Sequence, residues 1–163
     1  MSYSINETAL AIVLKQGTAS ELFKTLQTEL SKNFKIKLLT FTQIDMAQRK
    51  AKRLYSSDDS SYAIGGFKPI EINTWTTRVI EQQQAFVAHK HSELAKVFFD
   101  HELIAQLGLG SVINWPVIMH SQVIGTVNLL AEEGAYLNTD LLALEKLTPW
   151  FAISFLFKSK SKE

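Results

Sequence analysis

The chain has 163 residues, of which 46% are hydrophobic, and 17 basic residues face 16 acidic ones. That length suits a single domain, residues 1–163, with a sizeable core, and the balanced charge argues against nucleic acid or a polyanion as partner. Cysteine is absent, which excludes disulfides, thiolate metal sites, cysteine nucleophiles and thioether-linked chromophores, and suits a cytoplasmic setting.

The N-terminus lacks a basic region and carries Glu7 inside its short apolar stretch, so no signal peptide is read there. Residues 6–15 are a candidate first helix. Thr18-Ala19-Ser20-Glu21 is a capping box. The helix that it opens sets Leu22, Phe23, Leu26 and Leu30 on one stripe and should end near Asn33. KIKLLTFTQI (35–44) alternates and reads as a strand. After a turn at Asp45-Met46-Ala47, a return strand over about 48–56 carries Arg49, Lys50, Lys52 and Arg53, a density that suits a sheet edge. Residues 56–69, rich in Ser, Asp, Gly and Pro, read as a loop.

Thr74 is expected to cap a helix from Trp75 to about Gln83, which would put Arg78 on the Trp75 face. QAFVAH (84–89) reads as a short buried strand. Glu93 to Leu107 is expected to be helical in two pieces, stopped by Gly108 and Gly110. SVINWPVIMHSQVIGTVNLL (111–130) is a hairpin. Gly134 marks a turn, and Asn138 or Thr139 is expected to cap a last helix. Pro149 inside that helix costs about 3 kcal/mol unless it sits at a kink, so a bend is expected near Thr148. The apolar run from Trp150 to Phe157, broken by Ser154, is too short to span a membrane and no membrane partner is expected. Its all-round hydrophobicity calls for burial on more than one side, as in a homodimer through the terminal helices. The element order is α+β, an antiparallel sheet with helices at both ends of the chain.

The hairpin holds two asparagines among apolar residues, and a buried amide must be hydrogen-bonded. On the first strand Val112, Asn114 and Pro116 share a face, as do Ile113, Trp115 and Val117. A three-residue loop, His120 to Gln122, pairs Asn114 with Asn128 and Pro116 with Thr126. A two-residue loop would mix polar with apolar positions, so the three-residue loop is expected.

The second half, Leu107-Gly-Leu-Gly-Ser-Val-Ile-Asn-Trp-Pro-Val117, then Val123-Ile-Gly-Thr-Val-Asn-Leu129, then Gly134 and a terminal helix, resembles the GAF family of sensory domains. The resemblance covers about residues 18–157. It implies a GAF/PAS-like central six-stranded antiparallel sheet, with terminal helices on one face and a ligand pocket on the other. It implies a small-molecule sensor, here acting without an output domain of its own, and frequent dimerisation through the terminal helices. GAF ligands include cyclic nucleotides, bilins, haem and small metabolites. The Asn-Lys-Phe-Asp-Glu pattern of many cyclic-nucleotide binders is missing. The absence of cysteine excludes covalent bilin and cysteine-based reduction of methionine sulfoxide, which leaves the ligand's identity open.

In this frame Asn114, Thr126 and Asn128, with Val112, form the pocket floor, and the amides bond a ligand, a water or the loop above. Trp75, Phe86, Phe98 and Phe99 are candidate walls, with Ala88 and His89 at the end of the neighbouring strand. His89 and His91 alternate on a strand end and, with His101, invite a metal or haem reading, but no third ligand has diagnostic spacing and no metal is expected. Ser92-Glu93 and Asp100-His101-Glu102 are sequence neighbours that do not face each other on a helix, so no catalytic residue is assigned. The competing readings are an interaction module with a vestigial pocket and a small metabolite enzyme.

Overall fold

The computed structural model describes residues 3–160, the last three as backbone only. In chain order the elements are helices α1 (Glu7–Gln16) and α2 (Ala19–Ser31), then strands β1 (Leu38–Asp45), β2 (Lys50–Ser56) and β3 (Phe67–Pro69). Helix α3 (Thr74–Thr76) runs on into a π-helical turn (Thr77–Glu81) and is followed by strand β4 (Phe86–Ala88). Short helices α4 (His91–Leu94) and α5 (His101–Gln106), strands β5 (Ser111–Met119) and β6 (Gln122–Ala131), and helix α6 (Leu142–Lys160) complete the chain. They fall into two compact units, one of α1, α2 and α6, the other spanning Lys35–Asn138.

In the helical unit α2 packs against both α1 and α6. The expected capping box is present: the Thr18 hydroxyl accepts from Glu21 N at 3.2 Å, and the Glu21 carboxylate accepts from Thr18 N at 3.0 Å. Leu22, Phe23, Leu26 and Leu30 are all buried. Glu29 is also buried, which is tolerable only because its carboxylate is shared. It pairs with Lys32 Nζ at 2.8 Å and accepts from Asn6 N at 3.3 Å and from the Tyr3 hydroxyl at 3.4 Å. Burial, reinforced by the Glu29 charge, pushes the Tyr3 hydroxyl up to about 12. Helix α6 runs through Pro149. The residue that meets its first amide is Asp140, not Asn138 or Thr139: Asp140 Oδ1 accepts from Leu142 N at 2.9 Å. Asn138 instead takes a left-handed conformation, φ 58°, which asparagine tolerates better than most residues.

The second unit is a six-stranded sheet in the order β3-β2-β1-β6-β5-β4, with every neighbouring pair antiparallel. Two expectations are corrected here. The sequence read as a loop through residue 69 contains β3, whose three residues pair with Lys50–Lys52. The basic strand β2 is therefore not the sheet edge along that length. The signal was hidden because three residues cannot establish a period-2 pattern.

The hairpin register is as expected, Asn114 opposite Asn128 and Pro116 opposite Thr126, but the loop is not. Met119 pairs with Gln122, leaving a two-residue turn. His120 (φ 51°) and Ser121 (φ 62°) both have positive φ, the type I′ signature that matches strand twist. A bulge between Val117 and Ile118 and their partners leaves Ile124 as the extra residue and restores the parity that the turn would have broken.

The sheet has two distinct faces. One carries Leu39, Phe41, Ile113, Val127 and Leu129, all buried. The other carries Thr40, Asn114, Thr126 and Asn128, also buried. At one end of this polar face Ala88, Val112 and Leu130 form a core with Leu94 of α4 and Ile104 of α5. That core holds the 91–107 segment over the sheet.

Candidate functional site

A cavity of about 400 Å³ lies above the polar face. That volume falls in the range of about 300–1,000 Å³ typical of small-molecule sites. Its floor includes Thr40 and Thr42 of β1, Asn114 of β5, and Thr126 and Asn128 of β6. Its roof is built from the end of β3 and the stretch after it, Lys68 to Glu71 with Asn73 and Trp75, and from Val97 to Asp100 with Ile104. Tyr62 and Arg53 close one side.

The floor amides are satisfied by a directed chain of hydrogen bonds. The Trp75 indole Nε1 donates to Asn114 Oδ1 at 2.9 Å. Asn114 Nδ2 donates to Asn128 Oδ1 at 2.7 Å. Asn128 Nδ2 donates to the Thr40 hydroxyl at 3.1 Å and the Thr42 hydroxyl at 3.3 Å. Of the three partners expected for the amides, the roof supplies one, through Trp75, and the two asparagines supply each other.

Local sequence fixes Trp75 over the floor. The expected cap, Thr74, is displaced by Asn73, whose side chain accepts from Thr76 N while the Thr76 hydroxyl accepts from Asn73 N. Asn73 Nδ2 also donates to Val97 O at 3.3 Å, tying the two roof segments together. The helix beyond is π-helical, a geometry that often occurs at functional sites. Arg78 does not reach the cavity; its Nε donates to Ala85 O at 2.7 Å.

The β1–β2 register sets the side wall. Pairing is regular from Asp45–Lys50 to Thr42–Arg53, so Arg53 shares the floor's face with Thr42. Beyond it Leu54 is bulged out, which pairs Tyr55 with Phe41 and Ser56 with Thr40. The Arg53 guanidinium lies 3.7 Å from the Tyr62 ring centroid, and its Nη1 donates to Ala63 O at 2.7 Å. The Tyr62 hydroxyl donates to Asp100 Oδ2 at 2.5 Å, linking the 56–66 loop to the roof. Burial, then the Asp100 charge, push the Tyr62 hydroxyl well above the usual tyrosine range.

Of the expected pocket residues, Trp75, Phe98, Phe99, Val112, Asn114, Thr126 and Asn128 line this cavity. Phe86, Ala88 and His89 do not. Ala88 is fully buried in the core beneath α4 and α5, and Phe86 packs edge-on against Phe98, 6.3 Å between centroids. Phe86 and Ala88 share the floor's face, but β4 is the edge strand at the opposite end of the sheet from β2 and β3, whose residues Arg53 and Lys68 line the cavity. Sequence reasoning missed Arg53, Tyr62, Asn73 and Asp100. The register that sets Arg53 opposite Thr42 leaves no trace in composition, and the Tyr62–Asp100 contact spans 38 residues.

None of the three candidate histidines walls the cavity. The His91 and His101 rings lie 5.7 Å apart, with His91 Nε2 2.8 Å from the His101 carbonyl, so that nitrogen must carry the proton and has no lone pair for a metal. Among the described residues no group of three His, Asp or Glu side chains is arranged to hold a metal ion. Among them, too, no helix is long and apolar enough to cross a membrane.

No family model matches the sequence, and no curated protein matches it. Solved structures do. A GAF domain of a two-component sensor histidine kinase from Bacillus halodurans aligns with a TM-score of 0.66 at 17% identity, over 85% of this chain and 94% of that one. The chain has the GAF fold. The GAF domain of an Acinetobacter phosphoenolpyruvate-protein phosphotransferase aligns at 0.62 and 12% identity, over 98% of this chain and 95% of that one. A free methionine-R-sulfoxide reductase from Neisseria meningitidis, solved with its substrate, aligns at 0.59 and 13%, over 96% and 89%. At such identities the likeness is one of GAF architecture, and the chemistry of the cavity must be read from this chain's own side chains.

Proposed function

We propose that this chain is a sensory or regulatory module that binds a small molecule reversibly in the cavity above Asn114 and Asn128. The observation that carries the reading is the cavity itself: about 400 Å³ between an ordered polar floor and a roof of two connected segments. Its walls combine Trp75, Phe98, Val97 and Ile104 with a few polar groups, the mix expected of a ligand site. The sensor-kinase GAF neighbour supports a signalling role by analogy of fold. Ligand enclosure would draw Trp75, Tyr62 and the Val97–Asp100 segment together and shift the population of a more open state. A panel of nucleotides, amino acids, keto acids and tetrapyrroles, scored by thermal shift and native mass spectrometry, tests this. A rise in melting temperature with a 1:1 mass adduct is expected for one class. No adduct and no stabilisation across the panel would sink the proposal.

A second reading has its own support. The floor amides bond one another and Trp75, as they would in a pocket kept for structure alone. The helical unit also leaves Ile12 of α1 and Leu142 and Leu156 of α6 exposed. In this reading the terminal helices associate with a second copy and that surface is the function. Light scattering decides the point: a monomer at high concentration rules out the dimer.

A further inference from the structure

We propose that the cavity takes a small organic acid, with a single oxyanion held at Arg53 and an apolar body lying between Trp75, Phe98 and Ile104. This rests on the reading of the cavity as a small-molecule site and goes beyond it by naming the ligand's chemistry.

Regular pairing from the Asp45–Lys50 end of the β1–β2 hairpin sets Arg53 opposite Thr42, so a cation stands on the cavity face beside the floor. The guanidinium is half-buried and stacked on Tyr62, and its Nη1 donates to Ala63 O. Its Nε is buried with no hydrogen-bond partner. None of the ion pairs among the described residues includes Arg53. A guanidinium beside a cavity with one unpartnered nitrogen and no ion pair is costly, and its planar donors match the two oxygens of a carboxylate.

The other charged walls limit the ligand to one such group. Lys68, over the Phe99 ring at the exposed rim, is the second cation. Asp100 and Glu71 are the opposing carboxylates. Asp100 is occupied by the Tyr62 hydroxyl, and Glu71 stands exposed at the mouth. Together they repel a second negative charge. The floor sets the rest. Trp75, Asn114 and Asn128 already satisfy one another, so the floor offers shape and little hydrogen-bonding demand, which suits an apolar or aromatic body.

A matched pair of compounds separates the charge from the shape: 1-naphthylacetate and its neutral isostere 1-naphthylacetamide. Both are titrated calorimetrically into the full chain. The acid is expected to bind at least tenfold tighter than the amide. Arg53→Met should cut that preference to within twofold. Arg53→Lys, which keeps the charge, should retain a preference of at least threefold. If Arg53→Met does not fold, Arg53→Gln, which removes the charge but keeps a donor for Ala63 O, makes the same comparison. Equal binding of acid and amide by the unsubstituted chain, or a preference that survives loss of the charge, would overturn the assignment. A chain that binds neither compound would overturn this inference, while the small-molecule reading stands or falls separately on the panel of nucleotides, amino acids, keto acids and tetrapyrroles.

Discussion

The two hairpins of the sheet each contain one bulge, and they use it in opposite ways. In β5–β6 the extra residue, Ile124, sits next to a tight turn and cancels that turn's effect on parity, so every polar position farther along meets a polar position. In β1–β2 the extra residue, Leu54, sits mid-strand, farther from the turn than Arg53, and changes parity for the residues beyond it. The first bulge preserves the floor. The second leaves Arg53 opposite Thr42 and turns Tyr55 onto the apolar face against Phe41. The comparison teaches that a bulge is not a defect of fixed meaning: its position relative to the turn decides whether it maintains a face or redirects a side chain.

The floor side of this comparison is the easiest to break. Asn128→Leu strands the Asn114 amide and leaves the Thr40 and Thr42 hydroxyls without their donor. A loss of about 1–3 kcal/mol is expected in denaturant melts. Adding Asn114→Leu should cost less than the sum of the two single substitutions, with a coupling of about 0.5–3 kcal/mol, because the amides satisfy each other. Strict additivity would mean that the observed chain of bonds contributes nothing to stability.

The wall side responds more weakly. Tyr62→Phe removes the bond to Asp100 and should cost about 1.5 kcal/mol at neutral pH, since hydrogen bonds to charged groups are worth more than average. Its pH signature is distinctive. The folded chain holds the Tyr62 proton more tightly than the unfolded chain, because burial and then Asp100 raise its pKa. The stabilisation from that shift is complete below the unfolded value of about 10 and is lost as pH rises past it. Between pH 9 and 11 the melting temperature of the unsubstituted chain should therefore fall more steeply than that of Tyr62→Phe. Tyr3, Tyr55 and Tyr136 are unchanged between the two, so the difference isolates Tyr62. Parallel curves would refute the assignment.

The smallest effect is expected at the turn that the β5–β6 bulge offsets. His120 and Ser121 pay for positive φ that Asn and Gly adopt more readily. His120→Asn with Ser121→Gly should stabilise the chain by about 0.4–1 kcal/mol. A loss of stability would indicate that Gln83, whose Nε2 donates to Ser121 O at 2.6 Å, depends on the native turn conformation.

The sequence by itself determined the helix α2 with its cap, both long hairpins, and the pairing of Asn114 with Asn128, because each rests on periodicity or on contacts a few residues away. It also determined that a polar face would exist within an apolar hairpin. Only the tertiary structure decided what that face bonds to. Trp75 reaches Asn114 across 39 residues, and Asn128 reaches Thr40 across 88. Local pattern likewise could not reveal β3, whose three residues become a strand only by pairing with β2. Nor could it place Arg53, which reads as an edge charge and becomes a cavity wall only once β2 pairs with β1 at Thr42 and β3 takes the edge. A side chain's face depends on the count of residues to its partner strand, and that count is settled only when the strands meet.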